Sequence, residues 1–255
     1  MTAIARVLMG YLVVGSLLAG CQSQTRLADG EPLPINTNDP SAVYLELATS
    51  YMAQGQPASA LVNARKAVAV DPGNAEALII QGMAQASLGH NEDAESSYRE
   101  AIQKAPDDAY ATNAYGTFLC GQRRYDEAVA QFDAAVASSR NLEPWVAITN
   151  SALCLNDQGK KSAAETRFLK ALQTNARFGP ALLGLARLHY GAGEYAQART
   201  YVNRYFEASS PDPESLWLAY QIERALGNNK AAKSYALMLK SRYPDAPQTY
   251  RLMGL

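Results

Sequence analysis

Three cysteines and two histidines carry most of the chemistry open to this chain of 255 residues. A thiol can be acylated, bridged to a second thiol or bound to a metal. A closed zinc site needs four ligands, and Cys21, His90, Cys120, Cys154 and His189 are too few and too scattered to supply one. The acidic pairs Glu92-Asp93 and Asp107-Asp108 read as helix N-termini or solvated faces rather than as an acid/base couple. No phosphate-cradling loop, G-x-G-x-x-G, G-x-S-x-G or H-E-x-x-H occurs. The residue types therefore predict no catalytic site, no metal and no cofactor. Lys+Arg is 23 and Asp+Glu is 24, a net charge of -1, which argues against a nucleic-acid partner. With 48% hydrophobic and 18% charged residues, the composition is that of a globular protein.

The chemistry expected of Cys21 follows from what precedes it. Arg6 is the one charged side chain of residues 1–20, and Val7 to Ala19 is nearly all apolar. That run matches the apolar region of a signal peptide and is short of the roughly 20 residues a membrane span needs. It ends in Leu18-Ala19-Gly20-Cys21, small residues and then a thiol, which resembles the bacterial lipobox. The resemblance implies a signal peptide over 1–20, with Cys21 acylated as the new N-terminus. The plainer alternative is a secretory signal with a chance cysteine. Gln22 stands where inner-membrane lipoproteins carry Asp, so the resemblance implies a lipid anchor in the outer membrane and a body in the periplasm. Residues 21–40, with Gly30, Pro32, Pro34 and Pro40, read as a flexible tether.

Beyond the tether one period organises the chain. Gly55, Gly89, Gly159, Gly193 and Gly227 recur at spacings of 34, 70, 34 and 34, and Arg123 stands where the 70 would split. Five residues after these positions come Ala60, Ala94, Ala128, Ala164, Ala198 and Ala232, and seven further on Ala67, Ala101, Ala135 and Ala171. Pro72, Pro106 and Pro244 share a late position. This pattern resembles the tetratricopeptide (TPR) repeat, a helix–turn–helix unit of 34 residues. Glycine turns the chain out of the first helix, alanine lets two helices approach, and proline ends the second helix. The predicted fold is all-α, a right-handed superhelical solenoid of six TPR units at 41–74, 75–108, 109–144, 145–178, 179–212 and 213–246. The third unit has two extra residues near Arg140–Glu143, placed in its exit loop. The tail 247–255 is too short for another helix pair and either caps the end or frays.

Those elements position the remaining candidates. First helices line the concave face of such a solenoid. In the first two units the inner positions Ala42, Leu45, Thr49, Met52, Ile79 and Met83 suit an adaptable peptide groove, the alternative being that Leu45 and Ile79 pack on neighbouring helices. Later units place Asn113, Asn156, Arg187 and Arg224 there. Cys120 and Cys154 fall late in the first helices of the third and fourth units, 34 residues apart. Neighbouring helices lie ~8–10 Å apart, so facing cysteines come within bridging range. In an oxidising periplasm a disulfide is expected, against the alternative of two buried free thiols. His189 is expected to pack, and His90 to lie in a turn.

Three segments are more specific than the repeat itself: Ala114-Tyr115-Gly116-Thr117-Phe118-Leu119-Cys120-Gly121-Gln122, Pro144-Trp145-Val146 with Asn150 and Cys154, and Pro213-Glu214-Ser215-Leu216-Trp217-Leu218 running to Ile222-Glu223-Arg224. With the lipobox and six units, they resemble the PilF/PilW family of type IV pilus biogenesis lipoproteins. The resemblance implies a pilotin, an outer-membrane lipoprotein that binds the pilus secretin and promotes its localisation and multimerisation. It implies a protein partner, an anchor through acyl chains on Cys21 and no enzymatic activity; the body is expected to be monomeric. The alternative is a TPR scaffold for another envelope assembly, such as outer-membrane protein insertion or peptidoglycan synthesis.

Overall fold

The structure, a computed structural model, describes residues 39–254; the signal segment, Cys21 and most of the tether lie outside the described residues. Among the described residues there are thirteen α-helices and no strand. They run as pairs: α1 (Pro40–Ala53) with α2 (Pro57–Val70), α3 (Ala75–Ser87) with α4 (Asn91–Lys104), and α5 (Ala109–Gly121) with α6 (Tyr125–Ala137). Then come α7 (Pro144–Asp157) with α8 (Lys161–Thr174), α9 (Gly179–Gly191) with α10 (Tyr195–Ala208), and α11 (Pro213–Ala225) with α12 (Asn229–Arg242). A single short helix, α13 (Pro247–Met253), closes the series. We number the units by helix pair. Each first helix packs against the first helix of the next unit, and each second helix packs mainly against the first helices on either side of it, with side-chain contacts such as Arg167–Asp133 and Phe206–Tyr235 linking successive second helices. The result is an all-α repeat solenoid with one face made of first helices.

The turn inside each unit has a single chemistry. Gly55, Gly89, Gly159, Gly193 and Gly227 have φ between 69° and 85°, the left-handed region that a side chain disfavours. The residue after each donates its N–H back into the first helix, as His90 does to Gln85 and Glu194 to His189, both at 2.9 Å. This closes the last turn of the first helix and aims the second one back along it. Arg123 occupies the same place in the third unit and adopts φ 60°, the one non-glycine of the described residues to do so. The left-handed region costs an L-residue roughly 1–2 kcal/mol, so the repeat geometry overrides a local penalty there.

Alanine sets how closely the helices approach. Ala60, Ala94, Ala128, Ala164, Ala198 and Ala232 are all at most 1% exposed. An added branch there would displace a helix, at a cost of about 1–3 kcal/mol. Glycines inside first helices extend the same logic. A Cβ on Gly184 would lie 2.5 Å from the Phe168 ring, and one on Gly116 2.9 Å from Phe132. Bulky rings of second helices thus seat on the bare backbone of first helices.

Connections between units have four residues, except 138–143, which has six. Asn141 organises this longer loop: its Nδ2 donates to the Ala135 carbonyl at 2.7 Å, and its Oδ1 accepts from the Glu143 N–H at 2.9 Å. The tail does not fray. Helix α13 packs on α11 and α12, and buried Thr249 donates its hydroxyl to the Tyr243 carbonyl at 2.7 Å. It takes the place that a seventh first helix would fill. No helix of the described residues is long and apolar enough to cross a membrane.

Candidate functional site

The inner face of the first three units holds an open cavity of about 460 Å³. Helix α1 contributes Met52 to it, α3 contributes Met83, Ala86 and Ser87, and α4 contributes Tyr98. Most of the wall is one face of α5: Tyr110, Asn113, Ala114, Thr117, Phe118 and Gly121, at spacings of three and four residues. Tyr98 is held from behind, because Gly82 leaves room for its ring; a Cβ there would sit 3.2 Å from it. The Tyr98 and Phe118 rings lie 5.3 Å apart, so the cavity floor is aromatic and rigid. The two methionines above it are half-buried and adaptable. Tyr110 bridges floor and rim, with its hydroxyl 4.0 Å from the Met83 sulfur.

A second, smaller cavity of about 140 Å³ adjoins the first and shares Tyr110 and Asn113 with it. Asn141 and Glu143 of the six-residue loop line its far side, with Val146 from α7. Asn113 and Asn150 are joined across the two first helices by an amide hydrogen bond of 3.0 Å. Burial raises the Tyr110 hydroxyl pKa, and the nearby carboxylates of Glu76 and Asp108 raise it further. Glu76 is itself raised, first by the protein packed around it and then by Asp108.

The groove positions expected from the sequence divide. Met52 and Met83 line the cavity. Leu45 instead packs half-buried against Ala48, Ala64 and Ile80, and Thr49 is exposed with its hydroxyl on the Leu45 carbonyl at 2.9 Å. Ile79 must be corrected outright. It is fully buried and packs with Leu78, Tyr98, Ala111 and Tyr115 in the core shared by units two and three. Its position along α3 is right for the inner side, but its direction is into the seam between helices. Sequence reasoning missed Tyr110, Thr117 and Phe118; the signal was the face of α5 they share with Asn113.

Cys120 and Cys154 form a disulfide with Cα atoms 5.8 Å apart, joining α5 to α7 behind the groove wall. His90 is exposed at the start of α4. His189 is buried and stacks on Tyr201 with ring centroids 5.3 Å apart. Its Nδ1 lies 2.6 Å from a Glu194 carboxylate oxygen, which fixes the ring within α9 and α10. Among the described residues no group of three or more His, Cys, Asp and Glu is arranged to hold a metal ion. Cys21 lies outside the described residues.

A stack of helix pairs with an open inner groove defines a TPR scaffold, the class of protein that holds a partner segment. Tetratricopeptide repeat profiles match residues 45–109 and 81–143, and a second profile of the same repeat matches 155–221. The type IV pilus assembly protein PilF of Pseudomonas aeruginosa is 28% identical over 247 residues, 95% of each chain. The crystal structure of PilW, a widely conserved type IV pilus biogenesis factor, is 31% identical with a TM-score of 0.70, covering 84% of this chain and 98% of that one. A solved structure of Pseudomonas aeruginosa PilF gives 27% identity and a TM-score of 0.66, covering 85% and 98%. The chain belongs to the PilF/PilW family of TPR-repeat type IV pilus biogenesis factors.

Proposed function

We propose that this chain is a pilotin: a lipoprotein anchored in the outer membrane through Cys21 that grips a segment of the pilus secretin and promotes its multimerisation there. The observation that carries the reading is an open, aromatic-floored groove on a chain of the pilus biogenesis family. The division of labour is physical. Acyl chains contribute roughly 0.8 kcal/mol per buried CH₂, enough for stable anchoring when more than one chain is present. The groove adds affinity for the secretin, and linking the two raises the secretin's effective concentration at the membrane. No bond is made or broken in this role. Gln22 favours the outer over the inner membrane, and the body faces the periplasm.

The test is a strain lacking this chain. Its envelope is fractionated and the pilus secretin is run on a gel without boiling. The expected result is loss of the heat-sensitive multimer from the outer membrane while monomer persists. A normal multimer would overturn the reading and move the function to another envelope assembly. The anchor has its own readout: Cys21→Ser is expected to abolish incorporation of labelled palmitate and to release the chain from the outer membrane.

A further inference from the structure

We propose that the groove takes a short peptide segment in which an apolar side chain is followed within a few residues by a basic one. The apolar side chain seats between Met52, Met83 and Phe118, and the basic one lies at the acidic end around Tyr110. The proposal rests on the groove being the partner site and adds the chemistry of its occupant.

The two cavities form one track because they share Tyr110 and Asn113. At the larger cavity the surface is thioether and aromatic, which favours burial of an apolar anchor. Toward the smaller one the character changes. Glu76 lies seven residues before Met83, two turns earlier on the same side of α3. Asp108 immediately precedes α5, and Glu143 lines the second cavity at the start of α7. Asp108 spends one oxygen on the Tyr110 N–H at 2.8 Å, but the Glu143 side chain makes no capping bond. None of the three carboxylates takes part in an ion pair among the described residues. Glu76 and Asp108 lie close enough to interact, and like charges held so without a cation are a cost that a cationic ligand relieves. Burial is the main cause of the raised pKa values of Glu76 and Tyr110, and the neighbouring carboxylates add to it.

Between anchor and acid, Asn113 lines both cavities; its Oδ1 accepts from Asn150, and its Nδ2 makes no hydrogen bond among the described residues, which leaves an amide donor at the track. That donor can pair with a main-chain carbonyl, so the track recognises main chain as well as side chains. The occupant is therefore a peptide rather than a lipid or a small hydrophobe.

The experiment is a selection from a random dodecapeptide library on the full chain immobilised in detergent micelles. The control surface is the groove-blocked variant Met83→Arg/Tyr110→Glu. Peptides enriched over that control are expected to combine Leu, Ile, Met or Phe with Lys or Arg. For the leading peptide, Glu76→Gln/Glu143→Gln is expected to weaken binding about threefold. Replacing the peptide's basic residue by norleucine should remove the difference between the two protein forms. Circular dichroism of the double variant checks that its helices are intact. Enrichment of neutral or acidic peptides, no enrichment over the blocked control, or an affinity insensitive to the double variant would each overturn the proposal. Competition by peptides tiling the secretin separates this from the pilotin reading. Basic-apolar peptides that no secretin tile displaces would leave the groove chemistry standing and remove the secretin.

Discussion

The same register positions meet twice in this solenoid with opposite chemistry. Met83 of the second unit touches Tyr110 of the third, and 104 residues later Arg187 of the fifth unit pairs with Glu214 of the sixth. Both pairs span 27 residues and join adjacent first helices. The backbone frame is shared, so only the side chains decide what the inner face offers. A thioether beside a tyrosine leaves an apolar floor exposed to a partner. An arginine beside a glutamate satisfies itself and presents a polar, salt-screened surface. Trp217 stacks on Tyr220 at 5.3 Å in the sixth unit, so even the aromatic rings there are engaged with one another. The repeat thus supplies a shared frame, and the chemical character of its inner face is set locally by a few positions.

The largest expected effect lies at the joint between these two regions. The disulfide ties the groove wall α5 to α7, where the closed half begins. Cys120→Ala/Cys154→Ala is expected to lower stability by about 3 kcal/mol, read as the urea midpoint of variant against oxidised protein. Reduced wild-type protein should match the variant; equal midpoints for all three forms would show that the joint contributes nothing.

Transplanting the closed chemistry into the groove comes next. Met83→Arg/Tyr110→Glu is expected to weaken binding of a groove peptide at least tenfold, about 1.4 kcal/mol. Unchanged thermal unfolding would assign the loss to the site rather than the fold. Unchanged affinity would remove the groove from the account.

The turns allow a sharper comparison of the two halves. Arg123→Gly is expected to raise stability by about 1 kcal/mol, because glycine relieves the left-handed strain that the other units avoid. Gly193→Arg in the closed half should cost a similar amount. Urea titrations of both variants check the symmetry.

The smallest effect belongs to the exposed ion pair. Arg187→Met is expected to change stability by at most about 0.5 kcal/mol, since such pairs are screened and entropically costly. A larger loss, read by thermal unfolding at low and high salt, would mean that the closed half depends on its inner face in a way the grooved half does not.

Much of this architecture was legible in the sequence because it rests on residues with single physical uses. A glycine every 34 residues has few roles besides a left-handed turn, and Arg123 could be recognised at its place by spacing alone. Alanines five residues later identify themselves as close-approach points, and they are buried as that role requires. The groove was legible only in part. Met52 and Met83 are at the cavity, whereas Ile79, one turn before Met83, is core.

By itself, then, the sequence determined the repeat, its turns, the TPR class and the chain's kinship. These depend on backbone conformation and spacing along one helix. The tertiary structure alone decided which side chains of a first helix reach the inner face. Helical periodicity specifies a stripe but not its rotation, and the rotation of α3 follows from how Leu78, Ile79 and Tyr98 pack against α5. That packing turns Met83 into the groove, brings Tyr110 over it, and sets Tyr110 between the carboxylates of Glu76 and Asp108 and the smaller cavity that Glu143 lines.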